Sequence, residues 1–200
     1  MKNPEFPTLQ TRTADILLFG KKWHIPYEER QDENGTLPTN FGVVIPGLVY
    51  RGSWPKNIDQ LLKIGIQGVV TLYSHRDIFE ITELPILQQR VQAANLHHTI
   101  VDIQDTQDLW TAAKQTLASN AISYIHCQAG ANRTSMASLI ISFKHMQQRH
   151  ELCDKKTLIT LIGQSIHHGF DWDKENHRKI LENVLTDSVS KKLIPPSILS

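Results

Sequence analysis

Tyr124-Ile125-His126-Cys127-Gln128-Ala129-Gly130-Ala131-Asn132-Arg133-Thr134 is the stretch on which the reading of this chain turns. An apolar, strand-like run ends at a histidine and a cysteine. Small or neutral residues follow, then an arginine, a threonine and a helical pattern. A thiolate is a strong nucleophile, whereas a free cysteine, with a pKa of about 8.5, is mostly protonated at neutral pH. Setting Cys127 just before a helix favours the thiolate, because unpaired backbone N–H groups and the helix dipole attract negative charge there. The same N–H groups can bind phosphate. Gly130, flanked by alanines, lets the backbone curl without side chains in the way. Arg133 offers a planar fork of donors for two phosphate oxygens. Nucleophile, anion cradle and charge clamp thus fall within one loop, which suits a phosphate ester.

His126-Cys127, five residues, then Arg133-Thr134 resembles the signature of the cysteine-dependent protein tyrosine phosphatase superfamily, and Ala129-Gly130 within it resembles the dual-specificity branch. The resemblance implies that Cys127 is the nucleophile that becomes phosphorylated and that Arg133 binds the phosphoryl group. It implies that Gln128, Ala129, Gly130, Ala131 and Asn132 offer their backbone N–H groups, and that the Thr134 hydroxyl helps the thiolate leave. His126 matches the histidine that helps set the charge state of the cysteine. The chemistry implied uses neither metal nor cofactor.

Composition agrees with one α/β domain and decides little else. Two hundred residues can bury a good core. The formal net charge is +1, from 21 basic and 20 acidic residues, with no long basic run, so nucleic acid is not an expected partner. No apolar segment approaches the roughly 20 residues of a membrane span. Met1-Lys2-Asn3-Pro4-Glu5 lacks the basic-then-apolar pattern of a signal peptide. Cys127 and Cys153 do not make a disulfide framework. A cytoplasmic protein is the expectation, with non-classical secretion left open.

Outward from the loop, three divisions are expected: an extended lead-in over 1–40 anchored by Trp23 and Tyr27, a catalytic domain over 41–188, and a loose tail over 189–200. Phe41 to Ile45 and Leu48 to Arg51 read as strands joined by Pro46-Gly47. Leu48 to Pro55 resembles the opening Tyr-Arg-Gly/Ser stretch of many small phosphatases of this superfamily. Asn57 caps a short helix with Ile58, Leu61, Leu62 and Ile64 inward. A strand spans Ile66 to Leu72, and a helix spans Thr82 to Ala94, with Pro85 in its first turn. His97 to Ile103 is the next strand, Leu109 to Ser119 a helix, and Ala121 to His126 the central strand. Met136, Leu139, Ile140, Phe143 and Met146 mark the buried face of the helix after the loop. Lys155 to Ile166 forms another helix. Asp171 or Asp173 caps a last one carrying Ile180, Leu181, Val184 and Leu185. The whole predicts a central, mostly parallel sheet flanked by helices on both sides.

Cleavage of a phosphate ester leaves an alkoxide or phenoxide that a positioned acid should protonate. Asp105 is the expected acid. It follows a strand and precedes a helix, and its Asp-Thr-Gln context resembles the general-acid loop of some dual-specificity members. Asp102 and Asp108 are alternatives, the first as an outward strand residue and the second as a helix cap. The step from Asp105 to Cys127 is short for the branch. Ser74-His75-Arg76-Asp77 follows a strand, where such folds gather ligand-contacting loops. Positions 128–132 carry no added charge, which favours a singly phosphorylated group on protein or a small phosphoester. Basic residues from elsewhere, such as Arg51 or Arg76, would shift that towards inositol phosphates or phosphoinositides. A phosphate-binding module without turnover and a sulfur transferase of rhodanese type are the remaining alternatives.

Overall fold

The computed structural model describes residues 37–171 and 174–198. Trp23 and Tyr27 lie outside the described residues, as does Asp173. Five strands form one sheet in the order β1-β2-β5-β3-β4. They are β1 (Gly42–Ile45), β2 (Val49–Gly52), β3 (Gly68–Tyr73), β4 (His97–Asp102) and β5 (Ser123–His126). The first pair is antiparallel, joined across Pro46-Gly47. β2, β5, β3 and β4 run parallel. β5 therefore lies mid-sheet, and its last residue, His126, is in register with Gly52 on one side and Thr71 on the other.

Side-chain alternation along these strands splits the core into two layers. Val69 and Tyr124 face one cluster with Trp54, Ile58, Leu61, Leu87 and Val91. That layer is covered by α1 (Ile58–Lys63) and α2 (Ile78–Ala93). Val70, Leu72 and Ile125 face the larger cluster on the other side. That layer is filled from α3 (Thr106–Ala118), α4 (Asn132–Gln148), α5 (Lys155–His167) and α6 (Glu175–Ser190). Met136, Leu139, Ile140 and Phe143 are buried as their spacing requires, with Met146 partly so. No helix among the described residues is long and apolar enough to cross a membrane.

Several local expectations need correction. Leu62 and Ile64 are exposed rather than inward, since α1 buries Ile58 and Leu61. α2 begins a turn earlier than its apolar spacing suggests, because the Asp77 side chain accepts from the N–H groups of Phe79 and Glu80. Pro85 consequently sits mid-helix. Asp171 does not cap α6. Its N-cap position is Lys174, which pairs with the Asp171 carboxylate at 3.1 Å.

The expected loose tail is also packed. Leu193, Ile194 and Ile198 join the larger core, and Pro196–Ile198 forms a 3-10 turn. Leu193 N–H and Ile194 N–H both reach the carbonyl of Ser188 at the end of α6. With Ile194 only 1% exposed, an Ile194→Ala variant is expected to lose about 3 kcal/mol of stability. Urea unfolding measures this, and an unchanged midpoint would return these residues to the status of a tail.

Candidate active site

Cys127 is 3% exposed and follows β5 directly. The chain turns through Gln128 to Ala131 and enters α4 at Asn132. The carbonyls of three successive loop residues are each held from outside. Trp54 N–H donates to Gln128 O at 3.0 Å, Asn40 Nδ2 to Ala129 O at 2.8 Å, and Arg51 Nη2 to Gly130 O at 2.5 Å. In a trans peptide the N–H points opposite to the C=O, and no peptide here is cis. The N–H groups of Ala129, Gly130 and Ala131 therefore face the hollow of the loop, beside the open first turn of α4. Asn132 anchors that turn, its side-chain oxygen accepting from Asp171 N–H at 3.2 Å.

Gly130 is the one residue here whose identity is fully dictated. Its φ is +67°. A Cβ on it would lie 2.2 Å from the Gly52 carbonyl carbon and 2.4 Å from Ser53 N. A side chain would push the loop off β2.

Arg133 is held by a residue the sequence reading did not single out, Glu80 of α2. Its carboxylate is fully buried. It receives Arg133 Nη1 at 2.8 Å, Arg133 Nη2 at 2.7 Å, Ser74 N–H at 2.7 Å and Gln128 N–H at 3.1 Å. Leu72 O takes a further Arg133 Nη1 hydrogen at 2.8 Å. Glu80 thus binds the end of the guanidinium and leaves its Nε–Nη2 edge for a second anion. Burial works against the Arg133 charge, but Glu80, Cys127 and Asp77 more than offset it, and its pKa stands above the ordinary arginine value. Gln128 N–H, expected in the cradle, is engaged by Glu80. The available signal for Glu80 was a carboxylate among Ile78, Phe79 and Ile81, three residues after a capping aspartate.

His126 is fully buried and edge-on to Trp54. Its pKa falls to about 3, mainly from burial and further from His98 and Arg133, against the Cys127 carbonyl. The ring is therefore neutral, and its tautomer follows from its neighbours. Nδ1 lies 3.4 Å from Cys127 O, which only accepts, so Nδ1 carries the hydrogen. Nε2 then accepts from Thr71 Oγ1 at 2.9 Å, and the Thr71 oxygen accepts from His98 Nε2 at 2.8 Å. Thr134, in the first turn of α4, is buried with an Oγ1 that has no partner among the described residues. A hydroxyl kept unpaired at that position fits a role toward a transient group in the loop.

The cleft at Arg133 is lined by Ser74, Arg76, Asp77, Ile78 and Phe79. Of the basic candidates, Arg76 is at the mouth, whereas Arg51 lies beneath the loop and is buried. Asp105 is not on this cleft. Its Oδ1 accepts from Gln107 and Asp108 N–H, while Asp108 Oδ2 accepts from Asp105 N–H and Gln104 N–H. This capping box starts α3, and Asp105 lines a groove against Asn183, Thr186 and Asp187 of α6. Both aspartates thus serve the start of the helix, and Asp105 is not among the residues that line the cleft at Arg133. Asp102, at the end of β4, is held instead to the cleft loop. It lies 2.8 Å from His75 Nδ1 and 3.3 Å from His75 N–H. Partial burial raises its pKa, but the bonds from His75 and Gln104 outweigh that and leave it below the ordinary carboxylate value. Cys153 is apart from all this, its thiol pushed up to about 11 by burial and Asp154.

No protein-family model matches the chain. Solved structures do match in shape. A DUF442 protein from Shewanella putrefaciens CN-32, itself only provisionally called a phosphatase, superposes with a TM-score of 0.57 at 12% identity, over 74% of this chain and 92% of that one. A mutant form of Tk-PTP gives 0.52 at 14% identity, over 74% and 95%. Its active form gives 0.50 at 14%, over 72% and 95%. The chain has the fold of the tyrosine phosphatase-like proteins.

The buried, neutral His126 makes stability depend on pH with a definite sign. Its folded pKa is below its unfolded value of about 6.5, so the unfolded chain takes up the proton first. The contribution is full above that value and is lost as pH falls towards 3. Unfolding free energy should drop by about 1 kcal/mol between pH 6.5 and 5.5 from this group. Urea titrations should show that slope in the wild type and its reduction in His126→Gln. Equal slopes would contradict the buried neutral ring.

Proposed function

We propose that this chain is a phosphomonoester hydrolase that works through Cys127, with a phosphorylated protein or small phosphoester as substrate. Tyrosine or dual specificity is the reading preferred. The observation that carries it is the loop itself. Three carbonyls are turned outward, their opposed N–H groups face inward, and the Nε–Nη2 edge of Arg133 is presented by Glu80. This is a preorganised cradle for three phosphoryl oxygens.

In the first step the Cys127 sulfur attacks phosphorus, the bond from phosphorus to the leaving oxygen breaks, and that oxygen takes a proton. The proton comes from the Asp102–His75 pair. Asp102 lies 2.8 Å from His75 Nδ1 and holds that ring at the cleft loop. In the second step a water oxygen attacks phosphorus, the S–P bond breaks and its proton passes to the same pair. The Thr134 hydroxyl donates to the departing thiolate.

Ile78 and Phe79 give the cleft an apolar lip, which suits the aryl body of phosphotyrosine. Arg76 at the same mouth is the feature that would favour an inositol phosphate.

Wild-type protein should release phosphate from para-nitrophenyl phosphate, and Cys127→Ser should release none. Against esters with poor leaving groups, Asp102→Ala and His75→Gln should each lose on the order of 100-fold in kcat while losing little against activated esters. Asp105→Ala should cost about 1 kcal/mol of stability through its lost cap and leave the leaving-group dependence intact. If Asp105→Ala shows that dependence instead, the acid is Asp105. Phosphate release from a panel of phosphopeptides, inositol phosphates and phosphoinositides ranks the substrate classes.

A further inference from the structure

Thr71, His98 and His126 form a polar line across three neighbouring strands. Thr71 of β3 is in register with His126 of β5. His98 lies one strand further out, on β4, two residues before Ile100, the register partner of Thr71. Alternation puts Thr71 on the face of Val69, His126 on that of Tyr124 and His98 on that of Leu96. That face is otherwise the apolar layer of Trp54, Leu87 and Val91. Thr71 and His126 are fully buried, and His98 is half-buried. Polar groups in such a layer are costly unless hydrogen-bonded, and these three bond to one another.

Their bonds run in one direction. His98 Nε2 lies 2.8 Å from Thr71 Oγ1, and Thr71 Oγ1 lies 2.9 Å from His126 Nε2. A hydroxyl has a single hydrogen to give, and the far end of the line decides where it goes. His126 Nδ1 faces Cys127 O at 3.4 Å, an atom that only accepts, so Nδ1 carries the ring hydrogen. Nε2 is left as the acceptor. Thr71 donates to it, and His98 Nε2–H donates to the Thr71 oxygen. The His126 ring is held in place edge-on to Trp54 at 5.1 Å and stacked on Tyr124 at 5.7 Å.

The peptide that His126 touches is the first of the loop. Its carbonyl, Cys127 O, faces His126 Nδ1, and its N–H, that of Gln128, donates to Glu80 Oε1 at 3.1 Å. The two groups of a trans peptide point opposite ways, so this plane is gripped from both sides. It is bonded directly to the Cα that carries the Cys127 sulfur. We propose that Thr71 and His98 are positioning residues that keep His126 in its Nδ1–H tautomer and, through that ring, fix the Cys127–Gln128 peptide and the place of the sulfur. The effect on turnover rests on the hydrolase reading, whereas the tautomer does not.

The test joins ring-nitrogen NMR spectra of the ¹⁵N-labelled full chain to turnover of para-nitrophenyl phosphate. In the wild type His126 should carry its hydrogen on Nδ1, and a hydrogen on Nε2 overturns the proposal without any variant. Thr71→Val keeps the shape and removes the hydroxyl. It should lose the Nδ1–H form as the single tautomer, while Thr71→Ser keeps it. His98→Gln, whose amide can still donate, should resemble the wild type, and His98→Leu should move towards Thr71→Val. In Thr71→Val kcat should fall on the order of 10-fold with KM little changed, and Thr71→Ser should recover most of it. A wild-type tautomer in folded Thr71→Val overturns the assignment. So does lowered stability with kcat intact, since the line would then serve packing alone. Should Thr71→Val not fold, the two His98 variants decide by the same readouts. Should the wild type release no phosphate, the hydrolase reading fails and the ring-nitrogen spectra alone judge the line.

Discussion

The loop between β5 and α4 is shaped from outside. Its carbonyls at Gln128, Ala129 and Gly130 are drawn away from its centre by Trp54, Asn40 and Arg51, three donors from residues 40–54. Peptide planarity converts that outward pull into inward-facing N–H groups. The fit is close enough that a methyl group on Gly130 would collide with Gly52, and one on Gly52 would collide with the Tyr124 hydroxyl. The shape of the loop is thus a property of residues 40–54 as much as of its own residues.

Charge is arranged with the same economy of partners. Glu80 makes four hydrogen bonds within the protein, two of them to Arg133, one to the loop that follows Cys127 and one to the cleft loop at Ser74. One carboxylate therefore ties α2, the loop after β5 and the cleft wall together. A buried ion pair with every lone pair engaged avoids the desolvation loss that an isolated charge would suffer. It also fixes which edge of the guanidinium is left open. Arg51 differs, its Nη2 donating to the Gly130 carbonyl and the Ser135 hydroxyl.

The sequence made the sheet and its two-sided cover legible because burial follows periodicity. Val69 and Tyr124 face one layer, Val70 and Ile125 the other, as alternation requires. The residues of the loop were legible because glycine, arginine and a cysteine before a helix each have few other uses in that order. Glu80 was not, because its partners are Ser74, Gln128 and Arg133, and two of these lie some fifty residues away in the chain. Arg51 was visible as a cation but not as a buried one, since a strand residue gives no sign of what lies behind its neighbours. Asp105 has two readings for a local reason. An aspartate before a helix with a second one three residues on is also the pattern of a capping box, and the helix uses it so. The tail misled because Pro195-Pro196 reads as a break, whereas Leu193, Ile194 and Ile198 close the core around it.

The central claim is that outward-held carbonyls leave the N–H groups of Ala129, Gly130 and Ala131 as the oxyanion cradle. Two-dimensional ¹⁵N–¹H spectra of the full chain during titration with inorganic phosphate test it directly. The account predicts that these three amides shift downfield together and saturate at one phosphate concentration, while Gln128 N–H, already held by Glu80, moves little. Phosphate that binds without moving them, or that does not bind at all, would contradict it.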